Sequence, residues 1–328
     1  MNYKIMSAII GYSIVVENLS ELSGYLEQNR SSFANQSYNG LQFGLSPEKL
    51  TFSSVRLDRN LIQTIKGYGI HLIYHGKYVY NFARSNIENQ MEILEREIST
   101  ASSLNCPLII HQGKNVKSEN LTKIQAINNY VAHLSEVINR TSIDGSLILL
   151  ENSTGQGTEM GYTLNELSYI YHQFDESVQP KIGFCLDTCH LFASGEVDFR
   201  RIDCVCEFFA RFDHLIGTDK IKCFHFNDSS VPFGSKIDRH GDLMGGYITN
   251  PLLGGHNDGL EYVAQFAYNQ HIPIMFETPF LLQSQIPNQM DYQYHLVDDW
   301  MTKRPLTEMS QKTSQIISQL SFDYYRNK

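Results

Sequence analysis

Short apolar runs rich in β-branched residues recur along the chain, and this recurrence limits its fold more than any other feature. Runs of this length and composition are typical of buried β-strands. Eight are present, spanning residues 5–12, 38–45, 70–75, 107–111, 146–151, 182–187, 221–226 and 272–277. We therefore expect the chain to gather most of its strands into one sheet or barrel.

Helical patterns lie between several of these runs. The first is formed by Ile87, Met91, Leu94, Ile98 and Ala101, and the second by Ile124, Ile127, Val131, Leu134 and Ile138. Both follow the spacing of one helix face, and residues 201–216 and 260–268 are interpreted in the same way. Alternating strands and helices predict right-handed βαβ units. Eight units in 328 residues favour a (β/α)8 TIM barrel of the α/β class, and a doubly wound open sheet is the alternative.

No Pro/Gly-rich linker or low-complexity tract divides the sequence. We expect one TIM-barrel domain over residues 1–280 and a partly helical C-terminal extension over residues 281–328. Within the extension, a weak apolar face predicts a helix near residues 308–320.

Composition limits the compartment and the partners. Six irregularly placed cysteines predict no disulfide framework, so we expect an intracellular protein, in the cytoplasm or the nucleus. The apolar stretch 5–16 resembles a targeting signal, but it lacks a clear cleavage site and is interpreted as the first strand. No run approaches the ~20 apolar residues of a membrane span. We expect a monomer without a membrane partner.

Metal-binding residue types end most of the predicted strands. They are His75, His111, Glu151, Asp187, His225 and Glu277, separated by 36, 40, 36, 38 and 52 residues. Most of these gaps match one βα unit, and the carboxyl ends of barrel strands converge on one mouth. Two short segments add His190, Asp238 and His240. The pattern predicts that these nine side chains face one cavity.

Nine such residues are enough to hold three ions if one carboxylate bridges two of them. The remaining histidines are interpreted as ordinary core or surface residues. A carboxylate at the end of a buried strand is costly unless it is paired or bound to a metal, and four of these nine residues are carboxylates. Imidazole and carboxylate together favour zinc over calcium or magnesium, and they leave manganese and iron open.

Several segments carry a family resemblance. They are residues 151–157 (ENSTGQG), 185–190 (CLDTCH), 225–228 (HFND), 233–240 (FGSKIDRH) and 276–279 (FETP), with shorter matches at 75–78 and 111–113. In this order and at these spacings, the sequence resembles the endonuclease IV family of apurinic/apyrimidinic endonucleases.

The resemblance implies a zinc-dependent DNA-repair enzyme of base excision repair. Such an enzyme cuts double-stranded DNA on the 5′ side of an abasic site and leaves a 3′-hydroxyl and a 5′-deoxyribose phosphate. By motif, His75 and His111 hold one ion, and Glu151 bridges it to a second and orients a bridging hydroxide. Asp187, His225 and Glu277 complete the second site. His190, Asp238 and His240 hold the third.

The same resemblance suggests DNA contacts. Tyr78 matches a tyrosine that enters the helix at the lesion. Arg239 is expected to reach a phosphate, although pairing with Asp238 or Asp242 is an equal alternative. Lys49 stands near the place of an arginine that probes the DNA in the family, whereas Lys77 and Lys114 are weaker candidates for backbone contacts.

Three departures from the family are visible. Residues 243–246 read LMGG where the family has a Leu-Gly-Glu-Gly type loop, so a glutamate is missing. The first strand lacks a histidine, and an Asn-x-Arg-x-Trp stretch is absent after the second strand.

Three other functions remain open. A sugar isomerase or epimerase of the same barrel superfamily uses metal-binding carboxylates at strand ends. A non-catalytic binder of abasic sites is suggested by the altered loop at 243–246. A nucleophilic role for Cys189 beside His190 is less favoured, because water activated by a metal needs no covalent intermediate.

Overall fold

Eight parallel strands close into a barrel with helices around it. The computed structural model describes residues 8–35, 38–52, 58–141, 147–282, 284–286 and 288–326. The barrel strands are β1 Ile10–Val16, β2 Gly40–Leu45, β3 His71–His75, β4 Leu108–His111, β5 Ile148–Glu151, β6 Ile182–Asp187, β7 Ile221–His225 and β10 Ile274–Phe276. Their order around the barrel is β1-β10-β7-β6-β5-β4-β3-β2. The predicted TIM barrel is confirmed, and the open doubly wound sheet is excluded.

Two further strands form a small antiparallel hairpin in the loop after β7. They are β8 Asp228–Ser229 and β9 His240–Gly241. The first barrel strand begins later than predicted, at Ile10, and continues to Val16. Its expected first residues, 5–7, and residue 146 of the fifth run lie outside the described residues.

The helices alternate with the strands. They are α1 Leu19–Gln28, α2 Arg30–Asn35, α3 Arg59–Lys66, α4 Glu88–Leu104, α5 Lys123–Arg140, α6 Leu164–Gln173, α7 Thr188–Ser194, α8 Ile202–Leu215, α9 Asp258–Gln270, α10 Gln289–Thr302 and α11 Glu308–Arg326. Side-chain caps start several of them; at α5, Thr122 and Gln125 form a capping box. Within the described part of the chain, no helix combines the length and apolar character needed to cross a membrane.

A layer of apolar side chains fills the barrel beneath its mouth. It consists of Ile73, Ile109, Leu149, Cys185, Cys223 and Met275. Each lies two residues before one of the predicted metal ligands at a strand end. Because side chains alternate across a strand with a period of two, this spacing turns the apolar residue and the ligand toward the same interior, one above the other. The layer therefore forms a solid floor for the site.

Among the residues described after the last barrel strand, two helices are present rather than one. The helix expected near residues 308–320 runs from Glu308 to Arg326. Helix α10 was not predicted from the sequence. It buries Leu296, Val297 and Trp300 in the same core as the barrel helices. The division of the chain at residue 280 stays a prediction.

Candidate metal centre

The predicted ligands meet at one mouth of the barrel. His75, His111, Glu151, His190, Asp238, His240 and Glu277 line a cavity of about 790 Å³. Strand register explains part of this convergence, because His111 lies opposite Glu151 and Asp187 lies opposite His225 on neighbouring strands.

Glu151 lies at the centre of the cluster and is 1% exposed. Its Oε2 atom lies 3.2 Å from His75 Nε2 and 3.4 Å from His111 Nε2. Its Oε1 atom lies 2.8 Å from His225 Nδ1. The two carboxylate oxygens thus face two separate sets of imidazoles, as required of a ligand that bridges two cations.

His75, His111 and Glu151 form the first set of donors. The second set consists of Glu151, Asp187, His225 and Glu277, and it surrounds His225. Its Nδ1 atom lies 3.1 Å from Glu277 Oε2 and 3.8 Å from Asp187 Oδ2. The third set is at the solvent side of the cavity. His190 Nε2 and His240 Nε2 lie 3.2 Å and 3.4 Å from Asp238 Oδ1, and 3.4 Å from each other.

Hydrogen bonds at the far side of four rings determine which nitrogen faces the cavity. His75 donates through Nδ1 to Gly76 O, and His190 donates through Nδ1 to Asn152 O. His240 donates through Nδ1 to Glu277 O. His225 instead donates through Nε2 to Gln42 Oε1 at 2.7 Å. In each of these rings the other nitrogen faces the site, where it can bind a cation once it is deprotonated.

The electrostatics of the cluster favour cations. Burial by itself would raise the pKa of Glu151, but the imidazoles of His225 and His111 outweigh burial and hold that pKa well below its usual range. Burial lowers the pKa of His190, yet Asp187 and Asp238 outweigh it and raise that pKa well above its usual value. Carboxylates that stay ionised at this depth require positive charge beside them.

The donor set fits metal ions of zinc type. A tetrahedral ion with bonds of about 2.0–2.1 Å separates its ligand atoms by about 3.3 Å. Five of the pairs within the first and third sets are 3.2–3.4 Å apart. The Nε2 atoms of His190 and His240 face each other at 3.4 Å, a separation that either a shared proton or a metal ion can bridge. Three sets of donors, His75–His111–Glu151, Glu151–Asp187–His225–Glu277 and His190–Asp238–His240, could each hold one ion.

Three polar side chains that sequence analysis missed support these ligands. Gln42 on β2 is fully buried, and its Nε2 donates to Glu277 Oε1 at 2.6 Å while its Oε1 accepts from His225. Asn227 donates to Asp187 Oδ2 at 2.7 Å and accepts from Glu277 N. Asn152 accepts from Asp187 N at 2.7 Å. Gln42 could have been identified from the sequence, because it is a polar residue inside a predicted apolar strand.

The candidate DNA contacts differ in their environment. Tyr78 is 46% exposed and lies edge-on to His75, with ring centroids 4.9 Å apart. Arg239 is exposed, and no ion pair joins it to another described residue. Lys49 is exposed and pairs loosely with Glu17 at 3.6 Å.

Lys77 was a weaker candidate for a contact to the DNA backbone, but its side chain is buried and cannot reach DNA. It is 2% exposed, and its Nζ donates to Leu45 O at 2.8 Å and to Ser46 O at 3.1 Å. It therefore ties β3 to the loop after β2.

Two further lysines lie beside the ring of Tyr162. The Nζ atoms of Lys236 and Lys123 lie 4.7 Å and 4.6 Å from its centroid. Both lysines are exposed, and Lys123 also pairs with Glu166. Lys236 lies two residues before Asp238 and therefore belongs to the same loop as that proposed ligand.

Cys189 has the environment of a packed thiol. It is fully buried, its Sγ donates to Arg239 O at 3.4 Å, and burial raises its pKa well above the usual range. A thiol in this state is a poor nucleophile at neutral pH.

The altered loop at 243–246 lies against the last helix. A Cβ atom built on Gly245 would lie 2.6 Å from Ser321 Oγ. Any side chain at this position therefore requires at least the Ser321 hydroxyl of α11 to shift.

Comparison with known proteins agrees with this fold. The chain belongs to the xylose isomerase-like TIM barrel family, whose model matches residues 35–253. Within that superfamily it belongs to the endonuclease IV family. A protein of Acanthamoeba polyphaga mimivirus, provisionally named endonuclease 4, is 33% identical over 240 residues, which is 70% of this chain and 74% of the relative.

Other comparisons agree. A protein of Mycoplasma pneumoniae with the same provisional name is 31% identical over 69% of this chain and 78% of its own length. Among solved structures, endonuclease IV from Thermus thermophilus has a TM-score of 0.69 at 18% identity, covering 90% of this chain and 99% of that one. A D-tagatose 3-epimerase-like protein has a TM-score of 0.61 at 17% identity, with 90% and 97% coverage. At these identities the two structures show the fold alone.

Proposed function

We propose that this protein is a DNA-repair endonuclease that hydrolyses the phosphodiester bond 5′ to an abasic site, using three zinc ions. The products would be a 3′-hydroxyl and a 5′-deoxyribose phosphate. The observation that carries the proposal is the placement of Glu151, whose two oxygens face separate sets of imidazoles at metal-ligand spacing. The names of its relatives support a nuclease.

The proposed division of labour follows the three sets of donors. Bound zinc would supply a water of lowered pKa as the nucleophile, and positive charge for the phosphate and the leaving 3′-oxygen. Glu151 would orient the attacking oxygen from the buried end of the cavity. His190, Asp238 and His240 lie nearer the solvent, where a phosphate can reach them. No side chain has to form a covalent bond to the substrate.

The proposed ions also reconcile an acidic chain with a DNA substrate. Three divalent ions contribute six positive charges, which would change the formal charge of −9 to −3. Within the site they would outweigh the four carboxylates by two charges. The local potential at the cavity would therefore attract a phosphodiester even though the whole molecule is acidic.

The proposed DNA contacts surround this cavity. Tyr78 would fill the gap left by the missing base, and extruding an abasic nucleotide unstacks no base. Arg239, which is exposed and lies between two proposed ligands in the sequence, would bind a phosphate with two parallel hydrogen bonds. Lys236 and Lys49 would contact the backbone on either side. The ion pair between Lys49 and Glu17 is exposed and weak, so it would not prevent Lys49 from contacting DNA.

A nicking assay tests the proposal. The substrate is a duplex that contains one tetrahydrofuran abasic analogue, and the matched control is the same duplex without the lesion. We expect a single cut 5′ to the lesion, loss of cutting after treatment with a strong chelator, and recovery when zinc is returned. Binding of the lesion without metal-dependent cutting would instead identify a non-catalytic binder.

The epimerase alternative rests on the fold alone. It needs one metal and a separate acid–base pair, whereas here nine donor groups lie in one cluster, and seven of them line the cavity. One bound ion per chain together with epimerisation of a ketose would support it against our proposal. We also propose that the protein acts as a monomer and inside the cell.

A further inference from the structure

The last helix, α11, packs against the loop that carries Asp238 and His240. Its buried face consists of Ser314, Ile317, Ser318 and Ser321. Three of these residues are small, which lets the helix backbone approach the loop closely.

The first link joins α11 to the loop beside Gly245. Ser318 Oγ donates to Met244 O at 2.8 Å, and Asn250 Nδ2 donates to Ser318 O at 2.9 Å. Met244 has a φ of 66°, a left-handed conformation that is unfavourable for a residue with a side chain. The hydrogen bond from Ser318 to Met244 O, together with that from Met244 N to Thr249 Oγ1 at 2.7 Å, stabilises this conformation.

The second link reaches the proposed ligands. The Tyr325 hydroxyl donates to Ser230 Oγ at 2.8 Å, and Ser230 Oγ donates to His240 O at 2.7 Å. Ser230 N also donates to Arg239 O at 2.9 Å. A continuous chain of hydrogen bonds thus connects the end of α11 with the backbone beside Asp238.

The third set of donors needs such support because of its position in the fold. His75, His111 and Asp187 end barrel strands, so strand register fixes them. Asp238 and His240 instead come from the long loop after β7, whose regular structure within the described residues is limited to the two-residue strands β8 and β9 and a short 3-10 helix at Pro251–Leu253. Sites on loops are held less accurately than sites on strands unless the loop is buttressed.

We propose that α11 positions the third set of metal ligands, with Tyr325 and Ser318 as the positioning residues. The inference rests on the proposed function, in which His190, Asp238 and His240 hold one ion. Neither positioning residue touches these ligand side chains. Both act on the loop backbone, Tyr325 through Ser230 and Ser318 through Met244.

The test combines Tyr325→Phe with Ser318→Ala, which removes both links with little change in shape. Tyr324→Phe, together with Thr313→Ala on the same helix, is the matched control. Tyr324 and Thr313 make none of the links described above. The first measurement is hydrogen–deuterium exchange of the amides in residues 236–246 of the metal-free proteins. Two hydrogen bonds of ordinary strength predict about thirty-fold faster exchange in the test variant, and no change in the control.

The second measurement is the zinc retained per chain against a competing chelator. We expect one of three equivalents to bind about 10–100-fold more weakly in the test variant, with the other two unchanged. Test and control variants that match in both measurements would overturn the inference while wild-type nicking preserved the proposed function. Failure of the wild type to bind three ions or to nick would count against the proposed function itself, and the exchange result would still decide whether α11 supports the loop.

Discussion

Replacing Gln42 by methionine would test whether the ligands of the second set depend on a support that only the structure reveals. The change keeps the length of the side chain and removes both of its polar atoms. In the wild type these atoms lie 2.6 Å from Glu277 Oε1 and 2.7 Å from His225 Nε2. The His225 N–H would lose its acceptor in a fully buried position, and Glu277 would lose its donor.

The expected magnitude follows from these two contacts. A buried donor left without a partner costs about 1–3 kcal/mol, and loss of a support behind a metal ligand typically lowers metal affinity by about 10–100-fold. We therefore expect the second of the three zinc equivalents to weaken by about that factor. Nicking of the abasic duplex should fall in parallel when zinc is limiting, and recover partly when zinc is in excess.

The assay is zinc competition with a chromophoric chelator, combined with thermal unfolding of the metal-free proteins to separate affinity from stability. Gln112→Met is the matched control. Gln112 is also buried beside a proposed ligand, yet its side-chain atoms have no hydrogen-bond partner among the described residues. Unchanged zinc affinity in the Gln42 variant would refute the argument that Gln42 orients His225 and Glu277.

Three further predictions follow from the site and its surroundings. Glu151→Gln should leave the fold intact and reduce nicking by about three orders of magnitude or more, roughly 4 kcal/mol of barrier, because an amide cannot bridge two cations as a carboxylate does; near-normal turnover would show that Glu151 is not the bridge. Lys236→Ala should weaken DNA binding for all sequences and reduce the salt slope by about one, whereas Lys222→Ala at the start of β7 should not; equal slopes for the two variants would place the DNA elsewhere. Burial raises the pKa of Glu97 to about 7 despite Lys77 and the hydroxyls of Tyr80 and Tyr74. The folded protein therefore holds this proton more tightly than the unfolded chain, and the free energy of unfolding should fall by about 3 kcal/mol between pH 4.5 and 7. In denaturant titrations of the metal-free proteins, Glu97→Gln should lack this component, and a pH-independent difference between the two proteins would contradict the assignment.

The barrel and the convergence of the nine ligand-type residues were predictable from the sequence for a physical reason. Each βα unit returns the chain to the same end of the barrel, so residues such as His111 and Glu151, spaced by one unit, had to meet. The end of the first strand was misplaced, at residue 12 rather than at Val16, because the apolar stretch 5–16 is longer than one strand. The composition of this stretch does not indicate where the strand begins or ends.

The supporting groups could not be predicted in the same way. Gln42 is 183 residues from His225 in the chain, and its role depends on the register of strands that are distant in sequence. Lys77 looked like a surface lysine, but the carbonyls of Leu45 and Ser46 turn it inward. The packing of α11 beside Gly245 is a contact between segments distant in sequence, and the Gly245-Gly246 pair alone does not reveal it.

The central claim is that nine side chains hold three metal ions in one cavity. Anomalous diffraction from zinc-loaded crystals, with elemental analysis of the same protein, measures this directly. We predict three zinc sites per chain, one at each set of donors, with Glu151 shared between the first and the second. A single site, ions bound away from Glu151, or a metal-free protein with full nicking activity would contradict the claim.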